Sequence, residues 1–354
     1  MKPINIDQRL GRFVKIGKKE FLFFSGTSYL GIDQVPHYEA VLIDCIRRYG
    51  FNHGLSRVNN VRLNVFEEFE NSFAKKAIAE SSAVVSSGYL AGISALQYLF
   101  PKADQCWVAP DTHPAILPAD LKPDFQLSFI QWKNQCLEQA EGLPSQRILI
   151  LGNAVDPLKA EIHEYSWVKE IAKKHEVNLL IDDSHAFGVL GNGVFGTYSM
   201  HSDPKINLVV SGSLGKGLAM PAGIILGKAE VIEGIKAQPI FTGASPGSPA
   251  NLQAFLETQE IYSQKANLIR DFSGIFHQET KNLSTIRGSA NFPVFIYEKK
   301  EWVEELDKMG FITSSFSYPT AQSPKINRIV ISGSHTLSDL MALNMAVHQL
   351  SRKK

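Results

Sequence analysis

Short, almost wholly apolar runs recur along this chain, each ending in a polar or glycine-rich turn. Residues 105–108, 147–151, 177–181 and 206–210 are such runs. Strands that alternate apolar and polar residues lie with one face in water, whereas unbroken runs belong to strands covered on both faces. Between the runs the period changes. Val65, Phe66, Phe69, Phe73 and Ala77 recur at helical spacing and predict a helix over 64–80, and Trp167, Val168 and Ile171 share one face of the stretch 165–175. Strands alternating with amphipathic helices predict an α/β fold, a mainly parallel sheet flanked by helices.

At 354 residues the chain exceeds what one core usually holds. A stretch rich in Gly, Pro and Ser over 239–249 marks a boundary, so the expected division is an N-terminal segment (1–35), a large domain (36–245) and a smaller α+β C-terminal domain (246–354). With 36 Lys+Arg against 35 Asp+Glu the net charge is +1; nucleic-acid partners call for a basic excess, and none are expected. No run approaches the ~20 apolar residues of a membrane span, and the first residues lack a signal-type apolar core. Cys45, Cys106 and Cys136 form no C-x-x-C pair. A reducing, cytoplasmic location without disulfides is expected.

Ligands of open parallel sheets collect at the carboxyl ends of the strands, and four strand ends carry informative groups. Val177-Asn178-Leu179-Leu180-Ile181-Asp182-Asp183-Ser184-His185 places a carboxylate where burial is costly unless a cation or donor meets it; alone, Asp182 reads equally well as a turn cap and His185 as a core histidine. Ser213-Leu214-Gly215-Lys216-Gly217 sets a lysine between glycines, where it can approach a ligand closely or remain a solvated loop lysine. Ser87-Gly88-Tyr89 opens a helix whose free N–H groups suit a phosphate, or is an ordinary capped start. His113 lies in Pro110-Asp111-Thr112-His113-Pro114, an imidazole on what reads equally as a plain turn.

Three motif matches fail on chemistry. Lys216 is not a P-loop lysine, because Val210 and Gly217 stand where a glycine and a Ser/Thr are required. Ser213-x-x-Lys216 lacks the S-D-N and K-T-G companions of the penicillin-recognising enzymes. Gly243-Ala244-Ser245-Pro246-Gly247 has the spacing of a hydrolase elbow, but Pro246 has no N–H for the oxyanion hole. The histidines show no metal-ligand spacing, so no metal is expected.

Taken in order, Gly88, His113, Asp182/His185 with Gly188, and Ser213 to Gly217 resemble the α-oxoamine synthase family of fold-type-I pyridoxal-phosphate enzymes. The resemblance runs from Tyr29-Leu30-Gly31 to Arg328 and Ser332-Gly333-Ser334-His335. It implies that Lys216 holds the cofactor as a covalent imine and moves the substrate's Cα proton, that Asp182 faces the pyridine nitrogen, that His185 lies near the phenolic oxygen and that His113 stacks on the ring. It further assigns the phosphate to Ser87, Gly88, Tyr89 and Ser213, with Thr242 contributing from the second subunit of a homodimer, and the amino-acid carboxylate to Arg328.

The family reaction is a decarboxylating condensation of a small amino acid with an acyl thioester. The motif set is nearest to the 8-amino-7-oxononanoate synthases of biotin synthesis and the 2-amino-3-ketobutyrate CoA ligases, which are glycine C-acetyltransferases; a pyridoxal-phosphate aminotransferase is the alternative. The chain departs from the family pattern on the substrate side. Thr27 replaces an asparagine, Val61 a glycine, and Asn153-Ala154-Val155-Asp156-Pro157 the element S-M-D-G-D, while Ser317 stands where the 8-amino-7-oxononanoate synthases carry an extra arginine.

Overall fold

A computed structural model of the chain describes residues 4–52, 54–318, 320 and 322–352. They separate into two compact units. The smaller takes in residues up to Glu39, Pro157–Glu161 and residues from Glu260 onward; the larger comprises Ala40–Asp156 and Ile162–Gln259.

The first elements are a hairpin of the smaller unit, β1 (Phe13–Ile16) and β2 (Lys19–Phe24), antiparallel across a turn at Gly17. The larger unit contributes β3 (Ser81–Val85), β4 (Gln105–Val108) and β5 (Arg147–Asn153). Two-residue strands β6 (Val155–Asp156) and β7 (Glu161–Ile162) precede β8 (Glu176–Asp182), β9 (Ile206–Ser213) and β10 (Gly223–Gly227). Its sheet has the order β3-β10-β9-β8-β5-β4. β9, β8, β5 and β4 run parallel, and β10 is antiparallel to both β9 and β3.

β5, β8 and β9 are buried along nearly their whole length, with Ile148 to Leu151 and Leu179 to Ile181 fully covered, whereas β4 at the sheet edge buries only Trp107. One face carries Val85, Leu149, Leu151, Leu180, Val209 and Ile225 against helices Gly88–Leu99 and Ala229–Lys236. Elsewhere in the unit, Phe69 and Phe73 of helix Val65–Ala77 meet Phe255 of helix Pro249–Glu257 at ring separations of 5.5 and 6.0 Å. Register then decides the position of the polar groups. Asn153 pairs with Asp182 and Asp182 with Ser211, so these three form one row across the carboxyl ends of β5, β8 and β9.

The smaller unit adds β11 (Ile286–Ser289), β12 (Phe292–Tyr297), β13 (Phe311–Ser317) and β14 (Lys325–Val330), in the order β1-β2-β13-β14-β12-β11. β2 pairs parallel with β13, and the other pairings are antiparallel. Phe276 of helix Gln259–Thr280 and Leu340, Leu343 and Val347 of helix Leu337–Arg352 pack with Phe295 and Ile329. Among the described residues, no helix is long and apolar enough to cross a membrane.

The division differs from the one expected at residues 36 and 246. Residues 246–259 belong with the larger unit, because Phe255 fills its aromatic core. The N-terminal segment is part of the smaller unit, because β2 hydrogen-bonds along β13. The stretch 165–175 is helical over Val168–Ile171 alone; Tyr165 and Trp167 instead donate to the carbonyls of Asn153 and Glu164. Truncating Phe255 to alanine should cost about 3–5 kcal/mol of unfolding free energy, read by urea denaturation; a loss below about 1 kcal/mol would contradict its place in that core.

Candidate active site

Asp182 ends β8 with a carboxylate only 5% exposed. Its Oδ1 accepts the Ser184 N–H at 2.8 Å, whereas Oδ2 has no hydrogen-bond partner. A buried acceptor without a donor costs about 1–3 kcal/mol, so Oδ2 is set up to receive a donor from a ligand. His113 Nδ1 lies 4.0 Å from Oδ2. Nδ1 itself accepts the Ala115 N–H at 3.2 Å and therefore presents a lone pair. Burial and the nearby Lys216 ammonium lower the His113 pKa, and the pull of Asp182 in the other direction does not reverse the shift. The imidazole is thus neutral near pH 7, with its proton on Nε2.

Lys216 follows β9 in a turn closed by the Met220 N–H on the Leu214 carbonyl (3.0 Å) and the Ala219 N–H on the Lys216 carbonyl (3.2 Å). At Gly217 a β-carbon would collide with the Phe187 carbonyl, so the turn that presents the lysine needs glycine there. His185 is half-buried in the turn after Asp182. Beside it, Asp183 is fully buried and accepts the Thr197 N–H at 2.6 Å and the Thr197 hydroxyl at 2.7 Å. Burial, with a smaller contribution from Asp182, pushes the Asp183 pKa up to about 7. Two consecutive acids therefore do not place two full charges at this strand end at neutral pH.

Ser87 caps helix Gly88–Leu99, its hydroxyl accepting the Leu90 N–H at 3.2 Å. The first N–H groups of a helix lack intrahelical acceptors and attract oxyanions. A β-carbon on Gly88 would run into the backbone of Ser213, so the helix start and the end of β9 touch directly. Ser213 donates its N–H to Ser184 Oγ (2.9 Å), and its hydroxyl accepts the Gly215 N–H (3.1 Å). Ser87, Gly88 and Ser213 thus share one N–H-rich corner beside the Lys216 turn, with Tyr89 largely exposed. Thr242 ends the short helix Pro239–Thr242, and its carbonyl accepts the Ser56 hydroxyl at 2.6 Å.

Arg328 belongs to the smaller unit. It is buried on β14, donates to the Pro157 carbonyl at 3.0 Å and lies 4.9 Å from the Phe316 ring centre. Its charge counters the burial that raises the pKa of Tyr29.

The larger unit therefore gathers His113, Asp182, His185, Lys216, Ser87, Gly88 and Ser213, and these residues fit the cofactor implied by the resemblance. An unsatisfied buried carboxylate oxygen, a neutral imidazole beside it, a lysine and an anion corner are the groups a phosphorylated pyridine aldehyde requires. Sequence reasoning passed over Asp111 and His163 and noted Asn153 only as a departure; in the structure all three are hydrogen-bonded together behind His113. Asn153 could have been found from the paired ends of two adjacent strands, but Asp111 and His163 carry no motif.

The family model for aminotransferases of class I and II matches residues 56–342. The chain is 25% identical to 8-amino-7-oxononanoate synthase of Thermosipho melanesiensis, over 93% of this chain and 88% of that protein. It is 24% identical to serine palmitoyltransferase of Sphingobacterium spiritivorum, over 92% and 86%. Among solved structures, serine palmitoyltransferase from S. paucimobilis superposes with a TM-score of 0.82 at 16% identity, covering 99% of this chain and 92% of that one. For 8-amino-7-oxononanoate synthase from Francisella tularensis the TM-score is 0.71 at 18% identity, over 93% and 98%.

In the cofactor-free protein, an NMR titration should place the His113 midpoint below the ordinary ~6.5. Asp182→Asn removes an anion and should lower it further; Lys216→Met removes a cation and should raise it. A His113 midpoint that ignores both substitutions would contradict this arrangement.

Proposed function

The chain belongs to the class I and II aminotransferase family, in the α-oxoamine synthase group of pyridoxal-phosphate-dependent transferases, and from that premise we propose that it condenses a small amino acid with an acyl thioester, with loss of carbon dioxide, as 8-amino-7-oxononanoate synthases do. The observation that carries this reading is likeness along nearly the whole chain to proteins of that name, at 25–26% identity in the first three relatives. Serine palmitoyltransferase, also similar throughout, carries the same kind of condensation in its name, an acyl group joined to serine. The proposed reaction requires an amino-acid Cα that becomes a nucleophile toward an acyl group.

Bound pyridoxal phosphate supplies an electron sink that makes the Cα proton and carboxylate of an attached amino acid easy to lose. The protein's part is to hold, orient and move protons. Lys216 Nζ would hold the cofactor covalently and, once released from it, would be the base that takes the Cα proton. Asp182 Oδ2, which has no donor among the described residues, would receive a pyridine N–H and keep it protonated; at ~4 Å and an effective dielectric near ~20 such a pair would be worth roughly 4 kcal/mol. His113, kept neutral by burial and by Lys216, would stack on that cationic ring without repelling it. His185 donates to the phenolic oxygen. Ser87, Gly88, Tyr89 and Ser213 take the phosphate, and Thr242 reaches the phosphate of a second subunit in a homodimer. The family resemblance assigns the substrate carboxylate to Arg328, whose planar guanidinium fork suits bidentate binding of a carboxylate.

A second reading, transfer of the amino group to a keto acid, draws on Asn153-Ala154-Val155-Asp156-Pro157 standing where condensing enzymes carry S-M-D-G-D. Products separate the two. Purified protein given L-alanine and pimeloyl thioester should release free thiol and carbon dioxide in equal amounts, with glycine and serine and other acyl groups tried alongside. Lys216→Ala should reduce the rate by about 10³-fold or more. Amino transfer to a keto acid without thiol release would overturn the condensing reading, and a Lys216→Ala protein with full turnover would overturn the cofactor assignment as well.

A further inference from the structure

Behind His113 runs a buried polar chain to which the roles above assign nothing. His163 is 5% exposed and lies flat on Phe129, with ring centres 4.0 Å apart and planes inclined by 4°. Its Nε2 meets Asp111 Oδ2 at 3.0 Å, and the same oxygen accepts Asn153 Nδ2 at 3.1 Å. The other end of that amide, Asn153 Oδ1, accepts the backbone N–H of His113 at 3.1 Å.

The chemistry of this chain is directional. A carboxylate only accepts, so Asp111 turns the NH₂ end of Asn153 toward itself and the oxygen toward His113. Burying Asp111, 11% exposed at its side chain, without donors would be costly; the His163 ring supplies one, and the stack on Phe129 fixes where that ring lies. The segment carrying His113 has other anchors: Thr112 Oγ1 on the Ala109 carbonyl (2.7 Å) and the Ala109 N–H on the Leu151 carbonyl (2.8 Å). Asn153 Nδ2 also donates to the Asp111 main-chain carbonyl, so loss of the Asp111 side chain should leave the path of the chain intact and loosen, without freeing, the amide that holds His113. Asn153 is also the strand partner of Asp182, so the same side chain stands beside the acid that faces the cofactor.

We propose that Asp111 and His163 are positioning residues that act through Asn153 to hold the His113 ring in place against bound pyridoxal phosphate. The inference rests on the assignment of His113 to the cofactor ring.

Both hydrogen bonds converge on one oxygen of Asp111, which gives the test its form. Asp111→Leu removes the side-chain acceptor of both Asn153 and His163 and leaves Asn153 only the main-chain carbonyl of residue 111. Asp111→Asn keeps an oxygen that can serve both donors. His163→Phe removes the donor but keeps the stack on Phe129. Two quantities are read in cofactor-loaded protein: the visible circular dichroism per bound cofactor, which reports how the ring is held, and the rate at which a bound amino acid exchanges its Cα proton for deuterium. In Asp111→Leu and His163→Phe, cofactor content should match wild type while the dichroism changes by about half and exchange slows about 10-fold, less than the ~10²-fold that a 1 Å misplacement can cost. Asp111→Asn should stay within about 2-fold of wild type, and the double variant Asp111→Leu/His163→Phe should be no worse than the poorer single, as expected of members of one unit. Wild-type dichroism and exchange in the two disruptive variants, equal loss in Asp111→Asn, or a double variant that multiplies the single losses would each overturn the proposal while the cofactor reading stands. A wild-type protein that takes up no pyridoxal phosphate would overturn both. If Asp111→Leu does not fold, His163→Phe carries the same readouts.

Discussion

A carboxylate stands at the buried end of a parallel strand with one oxygen satisfied and the other not, and much of the larger unit can be understood from that. The Ser184 N–H holds Asp182 Oδ1, and Oδ2 is left facing the His113 ring without a donor. An isolated protein gains nothing from such an atom. It is tolerated because β8 lies in the middle of its sheet, paired on both sides and covered on both faces, so that the backbone cannot relax to hydrate the group. The stability of the strands is what allows the acid to remain underemployed until a cation arrives.

The surrounding groups limit the charge at this place. Asp183, next in the chain, is held by Thr197 on the far side of the strand end and is pushed toward neutrality by burial. His113 is kept neutral by burial and by Lys216. What remains to balance Asp182 is the lysine and whatever cation the site receives. A protonated imidazole would compete with a pyridinium for the same oxygen, and a second ionised carboxylate would bind the lysine too tightly for it to leave and return.

The strands β5 and β8 were legible because burial on both faces writes itself as unbroken apolar residues, but their true ends, Asn153 and Asp182, are polar and extend past the readable run. Lys216 and Asp182 could be singled out because close approach demands glycine and burial demands a partner, rules that act within a few residues. The network of Asp111, Asn153 and His163 could not, since it depends on which strand ends are neighbours. The division of the chain failed at both boundaries for related reasons. Leu22 pairs beside Phe311, a contact no local period announces, and the glycine- and proline-rich stretch read as a boundary leads into a helix whose Phe255 completes an aromatic core.

The smaller unit is assembled from stretches that lie far apart in the chain, with β2 placed directly along β13. On the ribosome the first hairpin emerges long before its sheet partner, at a rate of ~5–20 residues per second. During that interval Phe21 and Phe24 have no sheet to cover them, while the larger unit, which ends at Gln259, can already close on itself. Vectorial synthesis thus imposes an order, the larger unit first and the smaller one last, and it leaves a nascent apolar hairpin as a natural client for a chaperone.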